Sequence, residues 1–193
     1  MHEALFTYIH QHATLPLTAE HKALIEATFQ PKRLRKKQYF LQEGDIGKQA
    51  GFIVKGAMRQ YSVDDKGVEH IVNLFIENWW ASDRESATMH TPSRYNIDAW
   101  EDTDLLVVTR AEMLELMEKI PAFGQTTRVM DERNFIASQR RLNSTISNAA
   151  EKRYEEFAEN HPQFIERFPQ HLIASFLGIT KETLSRIRKQ AMR

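Results

Sequence analysis

The stretch 172-LIASFLGITKETLSRIRKQAMR-193 decides how the rest of the chain is read. Leu172, Ile173, Phe176 and Leu177 recur at helical spacing on one side of a short segment, residues 170–178. The small Ala174 stands where a second helix must come close. Gly178 follows at a position where a helix C-terminus favours positive φ, and Ile179 is an apolar plug for the corner. Thr180 is a helix N-cap, and Glu182 in the next first turn suits the positive end of the helix dipole. In that second helix Leu184, Ile187 and Ala191 point inward, leaving Lys181, Glu182, Ser185, Arg186 and Lys189 on the outer face. This order is the layout of a helix-turn-helix, whose second helix enters the major groove of DNA. Donor geometry suits Arg186 to a guanine, Glu182 to a cytosine amino group, and Lys181 to a guanine or a phosphate. Thr183, Arg188 and Lys189 are placed for phosphates. The bland alternative is an amphipathic terminal helix with a solvated basic face.

The charge distribution favours the DNA reading. The 193 residues carry 26 basic and 26 acidic side chains, so the chain as a whole is no polycation, and a nucleic-acid surface has to be local. From Thr180 onward the five basic residues Lys181, Arg186, Arg188, Lys189 and Arg193 face the one acidic residue Glu182, a net of +4. The apolar fraction of 41% and the charged fraction of 27% are ordinary for a globular protein. Cysteine is absent, which excludes disulfides, thiolate zinc sites and cysteine-ligated iron–sulfur clusters and agrees with a cytoplasmic setting. No apolar run is long enough to predict a membrane span, and the N-terminus MHEALFTYIHQHATLPLT lacks the basic region of a signal peptide.

Working back from the C-terminus, the texture changes twice. Residues 3–12 and 19–29 read as amphipathic helices, the second capped by Thr18, and Pro31 closes this region. From Lys32 to about Thr109 short alternating segments are separated by turns such as DDKG at 64–67, a pattern that predicts a small β-barrel or jelly roll. From Arg110 onward the pattern is helical. Pro121 suits the first position of a long helix running to about Ser147. Val129, Ile136, Asn143 and Ala150 recur every seven residues, and Phe135, Leu142 and Ala149 form a second row. Two such rows let the helix pack on its own barrel and on a twin copy; the alternative is that one subunit buries both. The fold expected is therefore α+β: N-terminal helices and a jelly-roll barrel over residues 1–118, a long dimerisation helix over 119–148, and a helix-turn-helix domain over 149–193.

These segments together resemble the Crp–Fnr family of bacterial transcription regulators. The strongest part is IASFLGITKETLSRIRK, where Lys181, Glu182, Thr183, Leu184, Ser185 and Arg186 stand in the family's recognition signature. EGDIGKQAGFIVKGAMRQY resembles its early barrel strands, with Gly44 and Gly56 at the turns. The resemblance implies a homodimer that reads an inverted-repeat operator in double-stranded DNA, with Lys181, Glu182 and Arg186 as base readers, RNA polymerase as a further candidate partner, and a small-molecule effector of unknown identity. Two departures are visible. The family's phosphate-binding cassette begins with Gly-Glu and ends with Arg-Ser, whereas WWASDRESATMHTPSRYNIDAW offers Ser82 and Asp83, then Ser93 and Arg94 in swapped order. The expected pocket is thus built from Asp83, Glu85, Arg94, Trp79 and Trp80, with Ser138 and Gln139 of the long helix where cyclic-AMP-binding members contact ligand, and cyclic AMP is not its expected occupant. Second, only QAMR follows the recognition helix, so the family's β-wing is expected to be missing.

Two other functions fit parts of the sequence. A ligand-binding or protein-interaction module would retain the helix-turn-helix as a vestige. A cupin-like metal enzyme would need a His-x-His with further ligands on neighbouring strands, and the barrel segment offers His70 with Glu69 and Glu77, and His90 in a loop. His10 and His12 fall in a helix, where i and i+2 do not face one site. No nucleophile–histidine spacing or glycine-rich phosphate loop is present, so no catalytic residue, metal or cofactor is assigned.

Overall fold

The computed structural model describes residues 1–191, without the side chain of Ala191, so the inward place expected for Ala191 and the charge of Arg193 lie outside the described residues. Two helices open the chain, α1 (His2–His12) and α2 (Ala19–Thr28). Thr18 caps α2 as expected, and the His21 ring completes a capping box by accepting from the Thr18 amide. Eight strands follow: β1 (Gln30–Leu34), β2 (Tyr39–Leu41), β3 (Gln49–Lys55), β4 (Met58–Val63), β5 (Glu69–Phe75), β6 (Trp80–Ala81), β7 (Asn96–Ala99) and β8 (Thr103–Thr109). A one-and-a-half-turn helix, α3 (Arg84–Met89), interrupts them between β6 and β7. Pro31 does not merely end the helices. It lies inside β1, an edge strand, where a missing N–H is tolerated.

The strands form two four-stranded antiparallel sheets, ordered β1-β8-β3-β6 and β2-β7-β4-β5. Their inner faces meet in a core of Leu34, Leu41, Ile53, Met58, Phe75, Ala81, Ile97, Ala99, Leu105 and Val107. Both outer faces are also covered. Phe52, Leu106 and Val108 on the first sheet pack against α1, α2 and the start of α5 through Leu5, Phe6, Ile9, Phe29 and Phe123. Tyr61, Ile71 and Leu74 on the second pack against the C-terminal helices. A sheet buried on both faces needs consecutive apolar residues, which is why Gly51-Phe52-Ile53 and Leu105–Val108 read as runs where simple alternation would mark one wet face.

Two glycines do specific work in this frame. Gly56 adopts φ +107°, and a Cβ there would lie 2.5 Å from Thr103 Oγ1, so the turn from β3 to β4 admits no side chain. Gly124 stands within α5 (Pro121–Ser147), where a Cβ would meet the Met117 carbonyl at 2.8 Å; its absence lets α5 lie against α4 (Arg110–Lys119).

After α5 come α6 (Ala150–Asn160), α7 (Pro162–Arg167), α8 (Gln170–Phe176) and α9 (Lys181–Ala191). The long helix ends at Ser147, as expected, just before the last members of its two sevenfold rows. Asn148 and Ala149 are extended, and the Asn148 side chain donates to Ser144 and Glu156, so Ala149 and Ala150 do not prolong the apolar rows. Of those rows, Phe135, Ile136 and Leu142 are exposed, and Ile146 joins them at 77%.

Candidate nucleic-acid interface

The corner between α8 and α9 forms as its residue types dictate. α8 ends in a Schellman turn: Gly178, at φ +66°, donates to the Ser175 carbonyl at 3.0 Å, and Ile179 donates to Ala174 at 3.0 Å. Thr180 then receives the Thr183 amide on its hydroxyl at 3.2 Å and the Leu184 amide on its carbonyl, starting α9. Leu184 is buried against Leu172, Ile173, Ala174 and Leu177, and Ile187 is buried as well, so the inward face of α9 is fixed.

Fixing that face aims the other one. Lys181, Glu182, Arg186 and Lys189 are exposed along one side of α9, with Ser185 half-buried between them, while Thr183 and Arg188 flank it half-buried. The structure thus places all seven sequence-predicted DNA-contacting residues on one element, four of them fully presented to solvent. One relationship was missed from the sequence. Arg186 pairs with Glu151 in the first turn of α6, at 3.3 Å. Glu151 lies 35 residues away, and only the fold of α6 against α9 reveals it.

The expected effector pocket is a different matter. Asp83 caps α3, receiving the Ser86 amide at 3.2 Å and the Ser93 hydroxyl at 2.7 Å, and is only 5% exposed. Ser86 in turn accepts from the Gly47 amide and donates to the Thr91 carbonyl. Arg94 points outward to Glu85 in an exposed ion pair at 2.8 Å. The two tryptophans diverge: Trp80 packs with Phe29 and Phe52, whereas Trp79 meets Phe164 and His161. They do not line one pocket, because neighbouring residues of an extended strand project to opposite faces. Ser138 and Gln139 are exposed on α5, and among the described residues no hydrogen bond joins them to Asp83, Glu85 or Arg94. The link from this region to α5 is instead Arg84 to Asp131, at 2.5 Å. His70 pairs with Asp64, and His90 is the left-handed C-cap of α3, not part of a free loop. Among the described residues no group of three His, Asp or Glu side chains converges as metal ligands, and no helix is long and apolar enough to cross a membrane.

Residues 31–120 match the family described as the Cyclic nucleotide-binding domain. Solved structures match over most of the chain. FixK2 from Bradyrhizobium japonicum is 17% identical, with 84% of each chain covered and a TM-score of 0.71. CLP, the c-di-GMP-responsive global regulator of Xanthomonas campestris, is 12% identical, covering 91% of this chain and 92% of its own, with a TM-score of 0.71. A chain from Eubacterium rectale ascribed to the crp/fnr family of transcriptional regulators is 20% identical, covering 90% of this chain and 83% of its own, at 0.62. Comparison with curated protein sequences gives no match. The α+β fold, with its paired antiparallel sheets, long helix and C-terminal helices, is thus the fold of these solved structures. The domain implies a cyclic nucleotide, and the residues present do not fit one. A phosphodiester at the cassette would meet the buried Asp83 carboxylate instead of a free cation, since Arg94 faces outward to Glu85. The inner faces of the sheets are filled by Ile53, Met58, Phe75 and Ile97.

Proposed function

We propose that this chain, with a cyclic nucleotide-binding-type domain over residues 31–120 and the Crp–Fnr fold, is a sequence-specific DNA-binding transcription regulator and not an enzyme. The observation that carries the proposal is the exposed row Lys181, Glu182, Arg186 and Lys189 on a helix whose opposite face is locked by Leu184 and Ile187. Arg186 reads a guanine by two parallel hydrogen bonds, Glu182 accepts from a cytosine amino group, and Lys181 reaches guanine or phosphate. Lys189, Arg188, Thr183 and Ser185 hold the backbone and set the register.

The functional unit is a homodimer in the cytoplasm. Phe135, Ile136, Leu142 and Ile146 leave an apolar stripe along α5, a helix of about 40 Å whose fully buried residues, Ala122, Phe123, Thr126 and Thr127, all lie in its first two turns. A second copy of α5 covers the stripe in a coiled-coil-like pair and sets two recognition helices on one face of the duplex, about 34 Å apart or a multiple of it. In domain terms, residues 1–118 serve as the barrel body, 119–148 as the dimerisation helix and 149–193 as the DNA-binding part, with RNA polymerase as the further partner of a regulator. Any effector of the barrel is not a cyclic nucleotide held in the usual way, and the residues around Asp83, Glu85 and Arg94 are its candidate site.

The test is a selection from random duplex DNA followed by sequencing. An enriched inverted repeat is expected, and Arg186→Ala should lose the preference at one base position of each half-site. Recovery of unenriched sequence at every salt concentration would overturn the proposal.

A further inference from the structure

The helix-turn-helix is attached to the barrel by more than the chain that leads to it. Strand β5 is an edge strand: β4 pairs with one side, and among the described residues no strand pairs with the other. Side chains from two helices satisfy that open edge. The Ile71 amide donates to Ser175 Oγ at 2.9 Å, and the same hydroxyl lies 3.4 Å from the Glu69 carbonyl as a donor. Ser175 belongs to α8, the helix on which α9 rests. Arg141 of α5 donates to the Val72 carbonyl, and its guanidinium sits 4.8 Å over the Phe176 ring, so one side chain ties α5, β5 and α8 together.

A second attachment lies at the other end of the same face. Arg167, at the end of α7, grips Glu77 with two hydrogen bonds, at 2.5 and 3.0 Å, and Glu101 with two more, at 3.2 and 2.7 Å. Glu77 also receives the Gly56 amide at 2.8 Å, so the grip reaches the β3–β4 turn, where no side chain fits. Between the attachments, Tyr61, Ile71, Leu74 and Ile76 of the barrel share one buried core with Phe164, Phe168, Leu172, Ile173 and Leu184. A hydrophobic contact alone permits sliding, whereas two polar anchors at separated points fix both tilt and azimuth.

We infer that Ser175 and Arg167 are positioning residues for DNA recognition: the barrel edge clamps α8, and through it α9, so that operator spacing is read narrowly. This rests on the reading of α9 as the DNA-contacting helix. The role of the barrel is then mechanical. It fixes where each recognition helix stands relative to α5, and α5 fixes where the two halves of the dimer stand relative to each other. Neither anchor touches DNA.

The experiment has one reading without DNA and one with it. The chain contains no cysteine, so Lys66→Cys on the β4–β5 turn and Gln190→Cys on α9 give two defined spin-label sites. The full-length labelled protein, diluted into unlabelled protein, is expected to give a narrow distance distribution. Adding Arg167→Ala and Ser175→Ala together should broaden it; an unchanged width overturns the clamp. For the second reading, duplexes carry the selected inverted repeat with the spacer lengthened or shortened stepwise. The parent should prefer one spacing by about tenfold or more, and the double variant should lose that preference while its affinity for a single half-site and its salt dependence stay unchanged. With Arg167 intact, Ser175→Thr, which keeps the hydroxyl, should hold the preference that Ser175→Ala weakens; a role in packing alone would not separate the two in this way. Tighter binding of the double variant to every duplex would show that the contacts withhold α9, and would overturn the inference. Unchanged affinity and unchanged sequence preference in Arg186→Ala would instead sink the DNA reading of α9 and leave the spin-label distances to decide the clamp.

Discussion

The Arg186 guanidinium lies 3.3 Å from the Glu151 carboxylate, so the side chain offered to a guanine is already paired within its own chain. Both groups are largely exposed, at 60% and 43%. Such a pair is worth about 0–1 kcal/mol in water and less in salt. It therefore competes weakly with a bidentate guanine contact, and it keeps the long Arg186 side chain near its working position. Replacing Glu151→Gln removes the competing charge and one negative charge near the phosphates. The expected result is tighter binding to the selected operator, by no more than about fivefold at low salt, fading as salt screens it. Fluorescence anisotropy at two ionic strengths reads this directly. Weaker binding would mean that Glu151 orients Arg186 more than it competes.

Arg186 and Lys189 of α9 should fail in different ways. Arg186→Ala should cost about 1–3 kcal/mol on the operator and relax the preference at one base position in each half-site. Lys189→Ala should weaken binding to all sequences alike and lower the slope of log K against log salt by about 1 per half-site. A sequencing-based affinity profile for each variant separates the outcomes. If Lys189→Ala changes the preferred sequence, the assignment of base and phosphate contacts along α9 is reversed.

The terminal motif was legible because each of its parts is local. The Schellman turn at Gly178, the Thr180 cap and the inward Leu184 and Ile187 all lie within 20 residues, and the structure reproduces them. The barrel was legible as a class, since turn glycines such as Gly44 and Gly56 do adopt positive φ. What escaped was set by contacts distant in sequence. Ser175 and Ile71 are 104 residues apart, and Arg167 and Glu77 are 90, so nothing in either segment announces the other. α3 escaped because six residues show too little periodicity for a helix, and its Asp83 cap serves as well for a turn. The end of α5 was legible at Ser147, but not its cause: the Asn148 side chain, bound to Glu156, ends the helix in space.

The apolar stripe of α5 sets a prediction about assembly. Leu142 is 61% exposed and Ile146 is 77% exposed, so charge at these sites disturbs no core within the subunit. Leu142→Asp with Ile146→Asp should leave the thermal unfolding of the monomer cooperative and convert the dimer to a monomer by sedimentation velocity. Binding to the full operator should fall to the level of a single half-site, because the second contact is no longer intramolecular. A parent protein that sediments as a monomer at micromolar concentration would remove the dimer from the proposal.

The barrel core sets a prediction about effectors. A ligand present at about 100 times its dissociation constant stabilises the folded state by about 2.7 kcal/mol, which is readily seen as a shift in Tm. Cyclic AMP at millimolar concentration is expected to give no such shift, because Asp83 is buried and occupied by Ser93 and Ser86. Asp83→Ala should lower stability by about 1–3 kcal/mol by leaving those donors unpaired. A clear cyclic AMP shift in the parent would show that the α3 region rearranges to admit a phosphate.

Acid should loosen the C-terminal helices from the barrel in two steps. Burial pushes the His161 imidazole, set among Trp79, Phe157 and Phe164, below its ordinary 6.5. The unfolded chain therefore takes up that proton first, and stability present above pH 6.5 declines as the pH falls below it. Burial alone would raise the Glu77 carboxyl, but hydrogen bonds from Arg167 and from the Gly56 amide outweigh it and hold the group below its ordinary 4.5. A carboxylate held down in this way contributes stability above pH 4.5 that is lost as the pH falls through the folded value. Urea midpoints measured from pH 8 to pH 3 should therefore drop first below pH 6.5 and again below pH 4.5. His161→Phe, whose ring suits the aromatic surroundings, should flatten the first drop only. Glu77→Gln should lower the midpoint at neutral pH and shrink the second drop, since the ion pair with Arg167 is already gone. A first drop that survives in His161→Phe would assign it to another of the eight histidines and detach it from the α6–α7 corner.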